Sequence, residues 1–347
     1  AAKMTVSSGT IQGAPARFGD TPLSLGPATL RFTESGVFRA PLTPTIAAGQ
    51  SFVMRADEGA EVYVDKAFSN NGTFLKTGKG TIVLNGGGTI KLSGGSKDGN
   101  SVPTFAEGGD APATGYPAGM ILNGKMVWGR EGQTVNITGG EFWIGAHDFL
   151  NEDGTPMTGE LEIRGGKTTT SSYLVIGRSH ASYEINTVPL RPTLTIRGGD
   201  VTVKQFILGW DGNAKMNLVA TLNVHDGAVF RSNGRFALGN HGNGGHADTL
   251  EAVVNQYGGE IHVSGDEYLS FGYVGGGQHV RRTDRGGRHE QEGGAGALRR
   301  QFPPEPARRR DAGRRHLHGE FPDGLDGGDL LERRLLPSER GQPDDQR

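Results

Sequence analysis

Residues 194–210, Leu-Thr-Ile-Arg-Gly-Gly-Asp-Val-Thr-Val-Lys-Gln-Phe-Ile-Leu-Gly-Trp, read as two short strands either side of a glycine corner. Side chains alternate across a strand, so Phe206 and Leu208, three and one residues before Gly209, share a face that must be buried. The same ending recurs at Ile144-Gly145, Ile176-Gly177, Leu208-Gly209, Leu238-Gly239 and Phe271-Gly272, with Gly-to-Gly spacings of 32, 32, 30 and 33. Two residues before each closing apolar residue stand Phe142, Leu174, Phe206, Phe236 and Leu269. The opening half repeats as Val135/Ile137, Leu161/Ile163, Leu194/Ile196 and Leu222/Val224. Small turn pairs follow: Gly139-Gly140, Gly165-Gly166, Gly198-Gly199, Asp226-Gly227 and Gly258-Gly259. Polar Asn136, Glu162, Thr195 and Asn223 stand between the apolar positions, which predicts one dry and one wet face. The fifth copy departs, with Val254 followed by Gln256.

A unit of about 30 residues carrying two short strands cannot bury its own apolar side, and such units stack into one continuous core. The expected fold is all-β, a right-handed parallel β-helix (β-solenoid). A propeller blade would need four strands per repeat. Residues 134–277 are the regular five-copy region, and residues 1–133 read as less regular coils, with strands around Thr29–Phe32, Ser51–Met54 and Glu61–Val64. Residues 93–118 are polar and rich in Gly, Pro and Asp, the composition of a surface loop where a ligand would first be sought.

The remaining composition narrows the possibilities. Glycine supplies 59 of 347 residues and sits at fixed corners rather than in a collagen-like period. With no cysteine there is neither a disulfide framework nor a thiolate metal site. A net charge of -2 speaks against a general nucleic-acid surface. No apolar run reaches the ~18 residues of a spanning helix. From 278 to 347 the composition changes: 15 Arg and no Lys, one Val and no Ile, against 11 Arg and 10 Lys before it. That stretch is expected to be a disordered tail or a frameshifted reading that interrupts the repeat.

Within residues 72–92, Gly-Thr-Phe-Leu-Lys-Thr-Gly-Lys-Gly-Thr-Ile-Val-Leu-Asn-Gly-Gly-Gly-Thr-Ile-Lys-Leu, the residues Phe74, Leu75, Lys76, Thr77, Gly78, Gly80, Thr81, Leu84 and Gly86 resemble the passenger-associated transport repeat of bacterial autotransporters. Ile82 stands where that pattern has the first of its two final Leu residues. The alternation of Ile82, Val83 and Leu84, then of Ile90 and Leu92, predicts two strands joined at Gly86-Gly87-Gly88; a plain hairpin would read the same way. The five later copies are similar to repeats of type V secreted passengers and PEP-CTERM-type exported proteins. The resemblance implies a secreted or outer-membrane-associated cell-surface passenger, with a translocation barrel expected downstream. Its partners would be host or environmental surface glycans or proteins, its role structural and adhesive, and it would need no cofactor.

His147, His180, His225, His241, His246 and His262 do not have the spacing of a ligand set, and a Gly-rich loop around His241 and His246 enforces no common face. No metal site is expected. Asp211, Asn213, Asn240 and Asn243 follow closing glycines and suit turn hydrogen bonding better than a ladder of calcium ligands. Parallel β-helices that cleave acidic polysaccharides need separated carboxylates or a base with cation partners. Glu141, Glu160, Glu162, Asp200 and Glu260 are the strand acids; Glu141, Asp200 and Glu260 follow turn pairs and are expected to stack in one row. A row that recurs with the repeat is a structural ladder, so no catalytic residue is assigned. Carbohydrate contact is the alternative, with Trp210, Trp143 and Tyr273 the candidates, and Trp128, Tyr173 and Tyr257 as further aromatics.

Overall fold

A computed structural model describes residues 2–46, 50–70, 72–93, 118–146, 158–179, 186–211, 216–241, 249–264 and 269–274. It is a parallel β-solenoid. Every ladder between the described strands is parallel, and one isolated antiparallel bridge joins His225 to Gly258. The loop segment 94–117 and the tail from 275 onwards lie outside the described residues.

Each full turn of the coil has three sides. One turn runs through Thr73–Thr77 on side one, Thr81–Leu84 on side two and Gly88–Ser93 on side three. The next repeats the order with Ala118–Leu122, Gly124–Trp128 and Gln133–Thr138. The expectation of two strands per unit is therefore corrected to three. The third was hidden because Lys167–Ser179 and Gly199–Asp211, 13 residues each, run from side three through a bend into side one as single strands. These two strands merge sides one and three into a 15-stranded sheet, while side two forms a 9-stranded one.

The rows read from the closing glycines hold along the whole stack. Phe52, Phe74, Met120, Phe142, Leu174, Phe206, Phe236 and Leu269 are successive register partners. Beside them runs Met54, Lys76, Leu122, Ile144, Ile176, Leu208, Leu238 and Phe271. The rows begin well before residue 134, and one apolar cluster extends from Phe18 to Phe236. At the N-terminal end Phe18, on the short 3-10 turn Pro15–Phe18, meets Phe32 and Phe38 edge-on at 6.0 and 5.5 Å between ring centroids.

The opening rows need one correction. Leu161 and Ile163 on side two pair with Met126 and Trp128, not with the copy containing Val135 and Ile137. Val135 and Ile137 belong to side three, in register with Thr168 and Thr170. Gly139-Gly140 accordingly marks a different corner from Gly165-Gly166. The register slipped in the sequence because Thr168, Thr170 and Ser232 occupy inward positions of side three that the apolar pattern cannot flag. Each has a local partner: Thr168 Oγ1 accepts from Trp128 Nε1 at 2.9 Å, and the Thr170 and Ser232 hydroxyls donate to nearby carbonyls. In the fifth copy the register holds, Val254 beneath Leu222 and Gln256 beneath Val224.

Side one is covered on its outer face as well: Val53, Leu75, Ile121, Trp143, Val175, Ile207 and Ala237 form an outward row with no exposed surface, a second apolar cluster. Side two has a polar outer face from Glu162 onwards, after the buried Val83 and Val127, with Asn223 donating to Thr195 at 3.2 Å and Asn255 to Asn223 at 3.0 Å as a rung-to-rung ladder.

Candidate functional site

Residues 72–92 form two corners of the coil. Thr81–Leu84 pairs with Glu61–Val64 and Gly124–Trp128, whereas Gly88–Ser93 pairs with Ser69–Asn70 and Gln133–Thr138. The two strands lie in different sheets and make no hairpin. The glycines of the motif are sites of backbone crowding. A Cβ on Gly78, whose φ is +75°, would stand 2.2 Å from the Ala56 carbonyl oxygen, and one on Gly80 2.2 Å from that of Asp57. Only a residue without Cβ lets consecutive turns approach this closely.

Lys76 is the chemical oddity of the motif. It occupies the inward row between Met54 and Leu122 and has no exposed surface. Its Nζ donates to the carbonyls of Gly78 at 2.7 Å and Gly80 at 2.5 Å, so it fills the inside of the corner and satisfies two acceptors there. Burial, with a smaller contribution from Arg55, lowers its pKa to about 7. At the next corner Gln133 acts similarly. Its Oε1 accepts from the Gly129 and Arg130 amides, and its Nε2 donates to the Leu84 and Gly86 carbonyls of the preceding turn. In the sequence Lys76 stands out only as a member of the 72–92 motif and Gln133 not at all, although a Lys or Gln in an inward register position is the available signal.

The candidate aromatics do not form one surface. Trp128 is core. Trp143, Arg178, Trp210 and Tyr173 gather on the outer face of side one, where Arg178 Cζ lies 3.6 Å from the Trp210 ring centroid and 5.5 Å from that of Trp143. Trp143 is fully buried, its Nε1 donating to Glu141 at 2.6 Å, so its ring offers no face to a ligand. Trp210 is half-buried within a continuing strand rather than at a turn, and its ring meets that of half-buried Tyr173 at 5.9 Å. Tyr273 pairs in register with Asn240; its side chain is outside the described residues. Tyr257 stacks on His225 at the last turn of side two.

The strand acids are all engaged. Glu162 bridges Arg164 and Arg197 at 3.0 and 2.9 Å, Glu160 pairs with Lys125 at 2.8 Å, Asp200 with Arg231 at 2.5 Å, and Glu260 with His262 at 2.8 Å. Burial pushes the Glu162 carboxyl up, but the hydrogen bonds from the two arginines outweigh it and hold the pKa below the ordinary value. The expected acid row breaks: Asp200 and Glu260 stand two turns apart on side three with Val229 between them, and Glu141 is on side one. Among the described residues no group of three or more His, Asp or Glu could hold a metal. His147, His180, His246, Asn213 and Asn243 lie outside the described residues. Asn240 pairs with Trp210 and His241 with Asp211, so the residues after successive closing glycines do not form a single oxygen ladder.

In comparisons with protein-family models, curated proteins and solved structures, the chain matches none.

Proposed function

We propose that this chain is a structural and adhesive scaffold of a bacterial cell surface, an exported autotransporter-like passenger. It would be delivered through an outer-membrane barrel and present its inter-strand segments to surface glycans or proteins. The observation that carries the reading is the use made of its polar side chains. Gln133, Glu162 and Asn223 each join one turn to the next, and Lys76 ties its own strand to the corner that follows it. A scaffold built so regularly leaves specificity to the segments between its strands. The similarity of residues 72–92 to a transport repeat supports the export route.

The test is surface accessibility on intact bacteria producing the protein. An antibody against the solenoid labels unpermeabilised cells, and external protease removes the label. Labelling only after permeabilisation overturns the proposal. The partly exposed pair Trp210 and Tyr173 favours one second reading, a carbohydrate-binding or polysaccharide-degrading β-helix. Binding on a glycan array that is lost in Trp210→Ala supports a lectin-like role, and turnover of an acidic polysaccharide replaces the adhesive reading with an enzymatic one.

A further inference from the structure

Lys76 differs from the carboxylate-paired Lys125, Arg164, Arg197 and Arg231, because its partners are backbone oxygens. The charged groups around it are already committed. On the preceding turn Arg55 faces Asp57, at 3.1 Å, and Asp57 is also held by Arg31 at 2.9 Å. On the corner itself Lys79 pairs outward with Glu58 at 3.7 Å. On the following turn the nearest elements contribute Leu122, buried Asn123 and Gly124, none of them charged. Gly124 closes the space from that side: a Cβ there would lie 2.5 Å from Lys76 Nζ and 2.1 Å from the Gly78 carbonyl oxygen. The amine is therefore sealed between two turns of the coil, with no counter-ion beside it among the described residues. An ammonium in such a place has lost most of its hydration without gaining an opposite charge.

We propose that Lys76 is a proton-operated latch: as a neutral amine it holds the Gly78 and Gly80 carbonyls and keeps this corner shut, and on gaining a proton it loosens the turn. The hinge is the corner itself, where Gly78 at φ +75° leads to Gly80, and opening there would release Nζ to water while the apolar rows on either side stay stacked. Direction follows from proton linkage. In the opened corner the amine regains the ordinary lysine value of 10.5, and in the closed one it titrates at about 7. Between these values the open form binds more protons, so closure is favoured increasingly as pH rises from 7 towards 10.5. Below 7 both forms are protonated and the dependence levels off.

Hydrogen exchange read by mass spectrometry on the intact chain tests this. Peptides covering 72–86 are compared with those covering 193–208, each corrected for the intrinsic pH dependence of exchange. The opening equilibrium of 72–86 is expected to fall about fifty-fold between pH 7 and pH 9, with the reference region unchanged. Lys76→Met, which matches Met54 in the same row, abolishes the difference. An unchanged pH dependence in Lys76→Met overturns the proposal. Should that variant fail to fold, carbon-13 NMR of labelled lysines in the wild-type chain decides: of the 10 lysines, one should titrate near neutrality. Ten titrations all at ordinary lysine values overturn it equally.

Discussion

The guanidinium of Arg178 lies over the indole of Trp210 on the adjacent turn, 3.6 Å from the ring centroid, and Trp143 of the turn before completes the stack at 5.5 Å. A cation over an aromatic face is worth up to about 2 kcal/mol when desolvated. Trp210→Ala should lower stability by about 2–3 kcal/mol, read as a shift in the denaturant midpoint. Trp210→Phe should recover part of that loss. A Trp210→Ala protein as stable as the parent would show that the stack contributes nothing.

Gln133 satisfies four backbone groups in two consecutive turns. At about 1 kcal/mol per hydrogen bond, with a further penalty for groups left buried and unpaired, Gln133→Leu should cost about 3–5 kcal/mol. Gln133→Glu keeps the acceptor for the amides but sets a carboxylate against the Leu84 and Gly86 carbonyls. It should be less stable at neutral pH than at pH 4, and urea titrations at both pH values measure the difference.

Two glycines should respond oppositely to the same change. Gly124 has φ +80°, and a Cβ there would collide with backbone, so Gly124→Ala should destabilise by more than about 2 kcal/mol. Gly87 lies in open space without a positive φ, and Gly87→Ala should be neutral or stabilising by about 0.5 kcal/mol. Thermal unfolding of the two variants side by side checks the contrast.

Acid should weaken the coil through Asp57 and Glu162. For Asp57, as for Glu162, burial raises the pKa but the hydrogen bonds from its two arginines prevail and leave it lowered. A lowered folded-state value contributes stability above the unfolded value and loses it as pH falls through the folded one. Stability should therefore be retained down to the ordinary carboxylate values of 3.8 and 4.5 and decline below them. The combination of Asp57→Asn with Glu162→Gln should flatten that decline, as followed by circular dichroism during acid titration.

The outward row of side one gives a fifth expectation. Ile207→Asn places an amide in a site with no exposed surface and should cost about 3 kcal/mol or more. Thr195→Asn, on the outer face of side two beside Asn223, should stay within about 0.5 kcal/mol of the parent. Equal midpoints for the two variants would remove the claim that side one is dry on both faces.

The sequence by itself determined the parallel stack and two of its core rows. Phe142, Leu174, Phe206, Phe236 and Leu269 repeat at fixed distance from a glycine, and period-2 alternation leaves them one common face. It also singled out the motif at 72–92 by its glycines, which crowding between turns makes necessary. Tertiary structure alone decided the third side, the dry outer face of side one and the interior place of Lys76. A strand shows its own alternation, but which of its faces is covered depends on segments distant in sequence. An inward Thr168, Gln133 or Lys76 looks like any exposed polar residue until its partner is in place: the Trp128 indole and the Leu84 and Gly86 carbonyls come from the preceding turn of the coil, and the Gly78 and Gly80 carbonyls from the corner that follows Lys76.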